Sequence, residues 1–166
     1  MNAFVIDAFE FCRINGSREG AMPVADMTRL TKDCCDSSGT IDWRLEGSVA
    51  GKTGYPQMTL SVSGAVQLTC QRCLTPFSYQ IDSSTVLVLA KDDEHADEID
   101  DLIDDEAIDV IVGTRAMDVA DLIEDEALLA LPFAPKHDVC PDTTLVDVAA
   151  TEKKSPFAAL KDLASE

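Results

Sequence analysis

Basic residues are scarce in this sequence: 13 Lys and Arg stand against 31 Asp and Glu, for a formal net charge of −18. Phosphate-binding surfaces draw their affinity from clustered cations, so general binding to exposed nucleic acid is disfavoured by the chain's own field. A basic protein partner, or a small local contact with RNA, suits that charge better. No apolar run approaches the ~20 residues that a membrane helix needs. Residues Met1 to Asp7 lack a basic stretch followed by a continuous apolar one, so no signal peptide is expected. A cytoplasmic location follows as the expectation, and with it reduced cysteines. Histidine is represented only by His95 and His137. No serine is framed as a nucleophile elbow, and neither a P-loop nor a Gly-rich dinucleotide turn is present. These absences point away from an enzyme.

What remains is ordinary for a globular chain. Of 166 residues, 46% are hydrophobic and 27% charged, enough for one compact domain spanning residues 1–166. The first 38 residues are weakly patterned; Phe4 to Ile6 and Phe9 to Phe11 suggest a short strand, and Pro23 to Leu30 a helical turn. From Ile41 the pattern sharpens. Ile41, Trp43 and Leu45 alternate with Asp42, Arg44 and Glu46, the period of a strand with one wet face. After Gly51, Gly54 and Pro56, a longer alternation places Met58, Leu60, Val62, Val66 and Leu68 on one parity with Cys70. Gly64 interrupts it, as at a bulge or bend. A third strand over about Tyr79 to Ala90 is apolar on both faces at Val86 to Leu89, which predicts a covered centre. Short connections make an antiparallel meander the natural pairing.

Residues 92–106 hold ten acids and no Lys or Arg, supplying −10 of the −18; the remaining 21 acids and 13 bases give −8. The segment 91–106 reads as a mobile, solvated acidic loop, or as an arm for a basic protein partner. Ala107 to Val112 looks like a returning strand. Asp118 can cap a main amphipathic helix from Val119 to Leu131, with Asp121 echoing a capping box and Pro132 ending the helix. A polar linker over 141–154 precedes a short C-terminal helix opened by Ser155-Pro156, with Phe157, Leu160 and Leu163 on one side. The predicted fold is α+β: an antiparallel sheet of four to six strands, curling toward a barrel, with the main helix packed on or beside it.

The strongest chemical signal is Cys70-Gln71-Arg72-Cys73, placed at the turn between two predicted strands. Two thiolates at a hairpin tip can grip one tetrahedral zinc, and His137 with Cys140 repeats the spacing to complete a Cys3His set. The 63 residues between the halves are far more than a compact zinc finger uses. Two other readings stay open: reduced cysteines packed as small hydrophobes with His137 at the surface, and a redox dithiol. Strands on both flanks argue against the dithiol, because thioredoxin-like pairs sit where a strand feeds a helix. Cys12, Cys34 and Cys35 have no partner at ligand spacing and read as structural. On the main helix, Glu126 falls within the apolar stripe of Val119, Leu122, Ile123, Leu129 and Ala130. Either the helix rolls so that Leu128 and Leu131 bury another face, or Glu126 is internal and paired, with Arg72 or His137 the first partners to seek.

The segment LTCQRCLTPFSYQI (Leu68 to Ile81) resembles a signature of the bacterial YceD family, in which a CxRC turn joins two strands. MDVADLIEDEALLALPFAPKHDVC (Met117 to Cys140) is similar to that family's second hallmark, an Asp-led helix with a Glu-Asp-Glu centre followed by Leu-Ala-Leu-Pro. SPFAALKDL (Ser155 to Leu163) resembles its Asn-Pro-Phe tail, with Ser155 where Asn is usual. Together these cover most of residues 41–163. The resemblance implies a part in accumulation or processing of large-subunit (23S) ribosomal RNA, and family genes commonly neighbour one for a small large-subunit ribosomal protein. It carries no catalytic residues. Arg72, Glu126, Pro132 and the turn cysteines occupy motif positions, as binding or structural residues. The expected function is therefore that of a ribosome-biogenesis accessory factor, bound to a basic ribosomal protein or assembly factor. The alternatives are direct binding to the ribosomal RNA precursor through Arg72, Arg44 and Lys52, and a thiol-redox role for Cys70 and Cys73.

Overall fold

The computed structural model describes residues 4–49, 53–103 and 105–141. The expected C-terminal helix from Ser155, Lys52 and most of the 141–154 linker lie outside them. A short strand β1 (Val5–Ile6) leads into α1 (Ala8–Arg13), β2 (Ser17–Pro23), a 3-10 turn (Val24–Asp26) and α2 (Leu30–Asp33). There follow β3 (Thr40–Ser48), β4 (Gln57–Thr69), β5 (Pro76–Ala90), α3 (Asp93–Leu102), β6 (Ile108–Val112), β7 (Met117–Asp118) and α4 (Val119–Leu129). The class is α+β as expected, but the main sheet is mixed rather than wholly antiparallel. Its order is β2-β3-β4-β5-β6, with β1 and β7 forming a separate ribbon, and it does not close into a barrel.

The alternations at β3 and β4 bury Ile41, Trp43, Leu45, Met58, Leu60, Val62, Val66 and Leu68 on one face. Helices α1 and α4 add Phe11, Val119, Ile123 and Ala127 to that core. Gly64 is not at a bulge: pairing runs unbroken through it, to Ile41 on one side and Ile81 on the other. Its missing side chain matters for another reason, because a Cβ there would overlap the Thr40 carbonyl oxygen and Ile41. At the end of β5, Leu87 and Leu89 face the main core while Val88 and Ala90 pack with Ile99 of α3.

Three segments differ from expectation. Phe9 and Phe11 lie on a helix, because Asp7 caps it by accepting from the Glu10 amide at 3.0 Å. The acidic segment 91–106 is not a loop but largely the helix α3, capped by Asp92, whose carboxylate accepts from the His95 amide. Ile99 sits fully buried beneath it, flanked by Ala96 and Ile103 at helical spacing. That helix carries the chain across, so β6 returns parallel to β5 instead of as a hairpin partner. No helix among the described residues is long and apolar enough to cross a membrane.

Candidate metal centre

The β4–β5 hairpin is long, and its turn holds Cys70 to Thr75. The turn closes tightly: the Cys70 amide donates to the Thr75 carbonyl (3.0 Å) and the Leu74 amide to the Cys70 carbonyl (2.9 Å). Leu74 adopts φ 60°, a left-handed conformation that a branched residue takes at a cost of about 1–2 kcal/mol. The curl aims the backbone amides of Cys73 and Arg72 at the Cys70 sulfur.

The second half of the site comes from the chain after α4. Asp118 caps that helix through the Ala120 amide (2.9 Å) rather than at the third position. The helix ends at Leu129, just ahead of Pro132. The Tyr79 hydroxyl donates to the Ala130 carbonyl (3.2 Å), satisfying one acceptor left open at the helix end. The chain then turns back across the hairpin tip, where the Gln71 amide donates to the Pro135 carbonyl (2.9 Å) and the His137 ring tilts against Phe77 at 4.9 Å.

This brings together all four ligands expected from the sequence. The Sγ atoms of Cys70, Cys73 and Cys140 and a ring nitrogen of His137 lie within 4.8 Å of one another. Cys70 Sγ is 3.9 Å from Cys140 Sγ, and Cys73 Sγ is 3.3 Å from His137 Nδ1. Two thiolates bound at ~2.3 Å to one tetrahedral zinc stand about 3.8 Å apart, close to the 3.9 Å between the Cys70 and Cys140 sulfurs. The electrostatics fit as well. Burial raises the Cys70 thiol, but the amides of Cys73, His137 and Arg72 and the His137 side chain outweigh it and lower the thiol to about 5. Burial and the nearby Cys73 and Cys70 sulfurs push the Cys140 thiol up. A set that stabilises one thiolate and crowds another against it is what a dication would neutralise. Cys12, Cys34 and Cys35 stand apart from the cluster. Cys12 is buried with its thiol donating to the Gln57 carbonyl, and Cys35 contacts Thr69.

The other marked residues fall elsewhere. Arg72 is exposed on the turn and Pro132 borders a shallow apolar hollow with Leu74, Leu131 and Phe133. Glu126 is internal, 7% exposed, and paired, but neither Arg72 nor His137 reaches it: the Ser83 hydroxyl donates to it at 2.5 Å. Leu128 and Leu131 also pack partly on the core, whereas Leu129 points outward. Sequence reasoning missed a second buried carboxylate. Glu124 accepts from the backbone amides of Arg29 (2.6 Å) and Leu30 (3.1 Å) and from the Arg29 guanidinium (3.0 Å), capping α2 from another element. Burial opposes its charge, but the Leu30 and Arg29 amides and the guanidinium overcome that and hold the carboxyl below its ordinary value. The 95-residue separation leaves no local signal for this pairing.

Residues 58–164 match the family model described as large ribosomal RNA subunit accumulation protein YceD. The chain belongs to that family. The matched span opens at the start of β4 and takes in the Cys70 turn, α4 and the His137–Cys140 stretch; β1 to β3 precede it. The YceD match thus includes both halves of the Cys/His cluster. No solved structure matches the chain.

Proposed function

We propose that this chain supports large-subunit ribosomal RNA accumulation as a non-enzymatic accessory protein that binds a basic ribosomal protein or assembly factor, with one structural zinc held by Cys70, Cys73, His137 and Cys140. The observation that carries the partner is the placement of charge. Helix α3 bears six acids and no Lys or Arg, and its folded backbone sets them in fixed positions. Fixed like charges steer an opposite surface and repel phosphate. Zinc would serve to tie the hairpin tip to the chain after α4; with four nitrogen and sulfur ligands it resembles closed structural sites more than catalytic ones.

Direct RNA binding has weaker support. Arg72 is exposed, but Arg44 lies between Glu19 (3.9 Å) and Glu46 (3.3 Å), which cancel its charge locally. The thiol-redox reading gains from the lowered Cys70 thiol and loses from that residue's burial, since a nucleophilic sulfur needs access. The test is capture from a bacterial lysate on the immobilised full chain, with and without nuclease. A basic ribosomal protein or assembly factor retained under both conditions is expected. Recovery of RNA alone, or loss of every bound protein after nuclease, would overturn the reading.

A further inference from the structure

Away from the cysteine cluster, a groove of about 500 Å³ is lined by β5, β6, α3 and α4. Ile111, Leu122 and Leu129 provide apolar surface; Asp97, Asp100, Asp109 and Glu126 provide carboxylates, Glu126 the most deeply set of them. Among the described residues no cation pairs with any of these four. Asp109 accepts from the Thr85 hydroxyl (3.2 Å) and Glu126 from Ser83, while Arg29 is spent on Glu124 and Asp125. Leu129, three-quarters exposed, borders the same groove. Among the described residues strand β6 is the last of its sheet, with one edge unpaired.

We infer that this groove receives an extended basic segment of a partner protein, its Lys or Arg heads on Asp97, Asp100 and Asp109 and its apolar side chains against Ile111, Leu122 and Leu129. The inference rests on the proposed capture of a basic protein and assigns where that capture occurs. Carboxylates without cations, gathered over an apolar floor, leave both a charge and a surface for one ligand to satisfy. Arg and Lys suit it, because their aliphatic stems cover apolar area while their heads reach the acids. An open strand edge can add main-chain hydrogen bonds to an extended segment. A phosphate-bearing ligand is repelled by the same carboxylates.

The test titrates the full-length chain with a fluorescein-labelled Leu-Arg-Leu-Arg-Leu-Arg peptide and its Ser-Arg-Ser-Arg-Ser-Arg counterpart. The leucine peptide is expected to bind more tightly, and increasingly weakly as salt shortens the Debye length. Combining D97N, D100N and D109N should weaken it at least about tenfold. The charge-matched set D26N, D42N and D82N, at exposed positions outside the groove, should change it by less than about twofold. Equal weakening by both sets would show a general field effect and overturn the groove. So would equal affinity for the serine peptide, displacement by magnesium alone, or nuclear Overhauser contacts from Phe157 or Leu160 of this chain to Leu122. If a basic protein is still captured from lysate by the D97N/D100N/D109N variant, the groove fails and the proposed function stands. If neither peptide nor any basic protein binds, both fail.

Discussion

At one end of the β4–β5 hairpin, Leu87 and Leu89 face the main core while Val88 and Ala90 pack beneath α3. At the other, Cys70 is buried under a turn whose Leu74 is three-quarters exposed, beside a fully exposed Phe133. The first end buries aliphatic surface on both faces of the strand, and burial of that kind holds a strand without further help. The second buries Leu68 and Cys70 on one face only, and its turn is held by a few polar contacts and a cluster of sulfurs. A hairpin tip held that way would gain from a cross-link, and the Cys/His cluster is placed so that a bound metal could supply one. The two ends are therefore expected to respond separately to perturbation.

Stripping metal with a strong chelator should have the largest effect, because structural zinc in small peptides contributes on the order of 10 kcal/mol. Amides of residues 70–75 should lose hydrogen-exchange protection by orders of magnitude while those of Leu87 to Ala90 keep theirs. Equal loss at both ends would break the contrast. Next comes Leu89→Ala, which leaves a cavity in the main core and should cost about 3 kcal/mol in denaturant unfolding, with the zinc stoichiometry unchanged.

Glu124→Ala is the smallest of the three, at about 2 kcal/mol, since it leaves the Arg29 and Leu30 amides without their acceptor. Its pH signature is specific. The folded-state carboxyl lies below its unfolded value, so its stabilisation is complete above about pH 4.5 and is lost as pH falls through the folded value. The stability difference between wild type and Glu124→Ala should shrink on acidification. A constant difference down to pH 3 would show that the Glu124 charge contributes nothing.

Legibility in the sequence follows the same division. The cysteine end was readable because its chemistry is written in spacing: two ligand pairs, one at a hairpin turn and one beyond a helix that Pro132 was expected to close. Strands β3 and β4 showed in strict alternation, and α4 in its Asp118 cap. Helix α3 was hidden because ten acids in 92–106 outweighed the Ala96, Ile99 and Ile103 spacing that places it on the sheet, and the parallel return of β6 was lost with it. Strand β2 has only Met22 buried, so as an edge strand it carries no alternation to read. The partner of Glu126 is the hydroxyl of Ser83 on β5, a neutral group that no charge pattern in the sequence marks.

X-ray absorption at the zinc edge, on protein purified without added metal, reads the coordination of Cys70, Cys73, His137 and Cys140 itself. The expected result is one zinc per chain with three sulfur ligands near 2.3 Å and one nitrogen near 2.0 Å, and loss of one sulfur in Cys140→Ser. Protein that folds with no bound metal, or zinc coordinated by oxygen from the acidic segments, would contradict it.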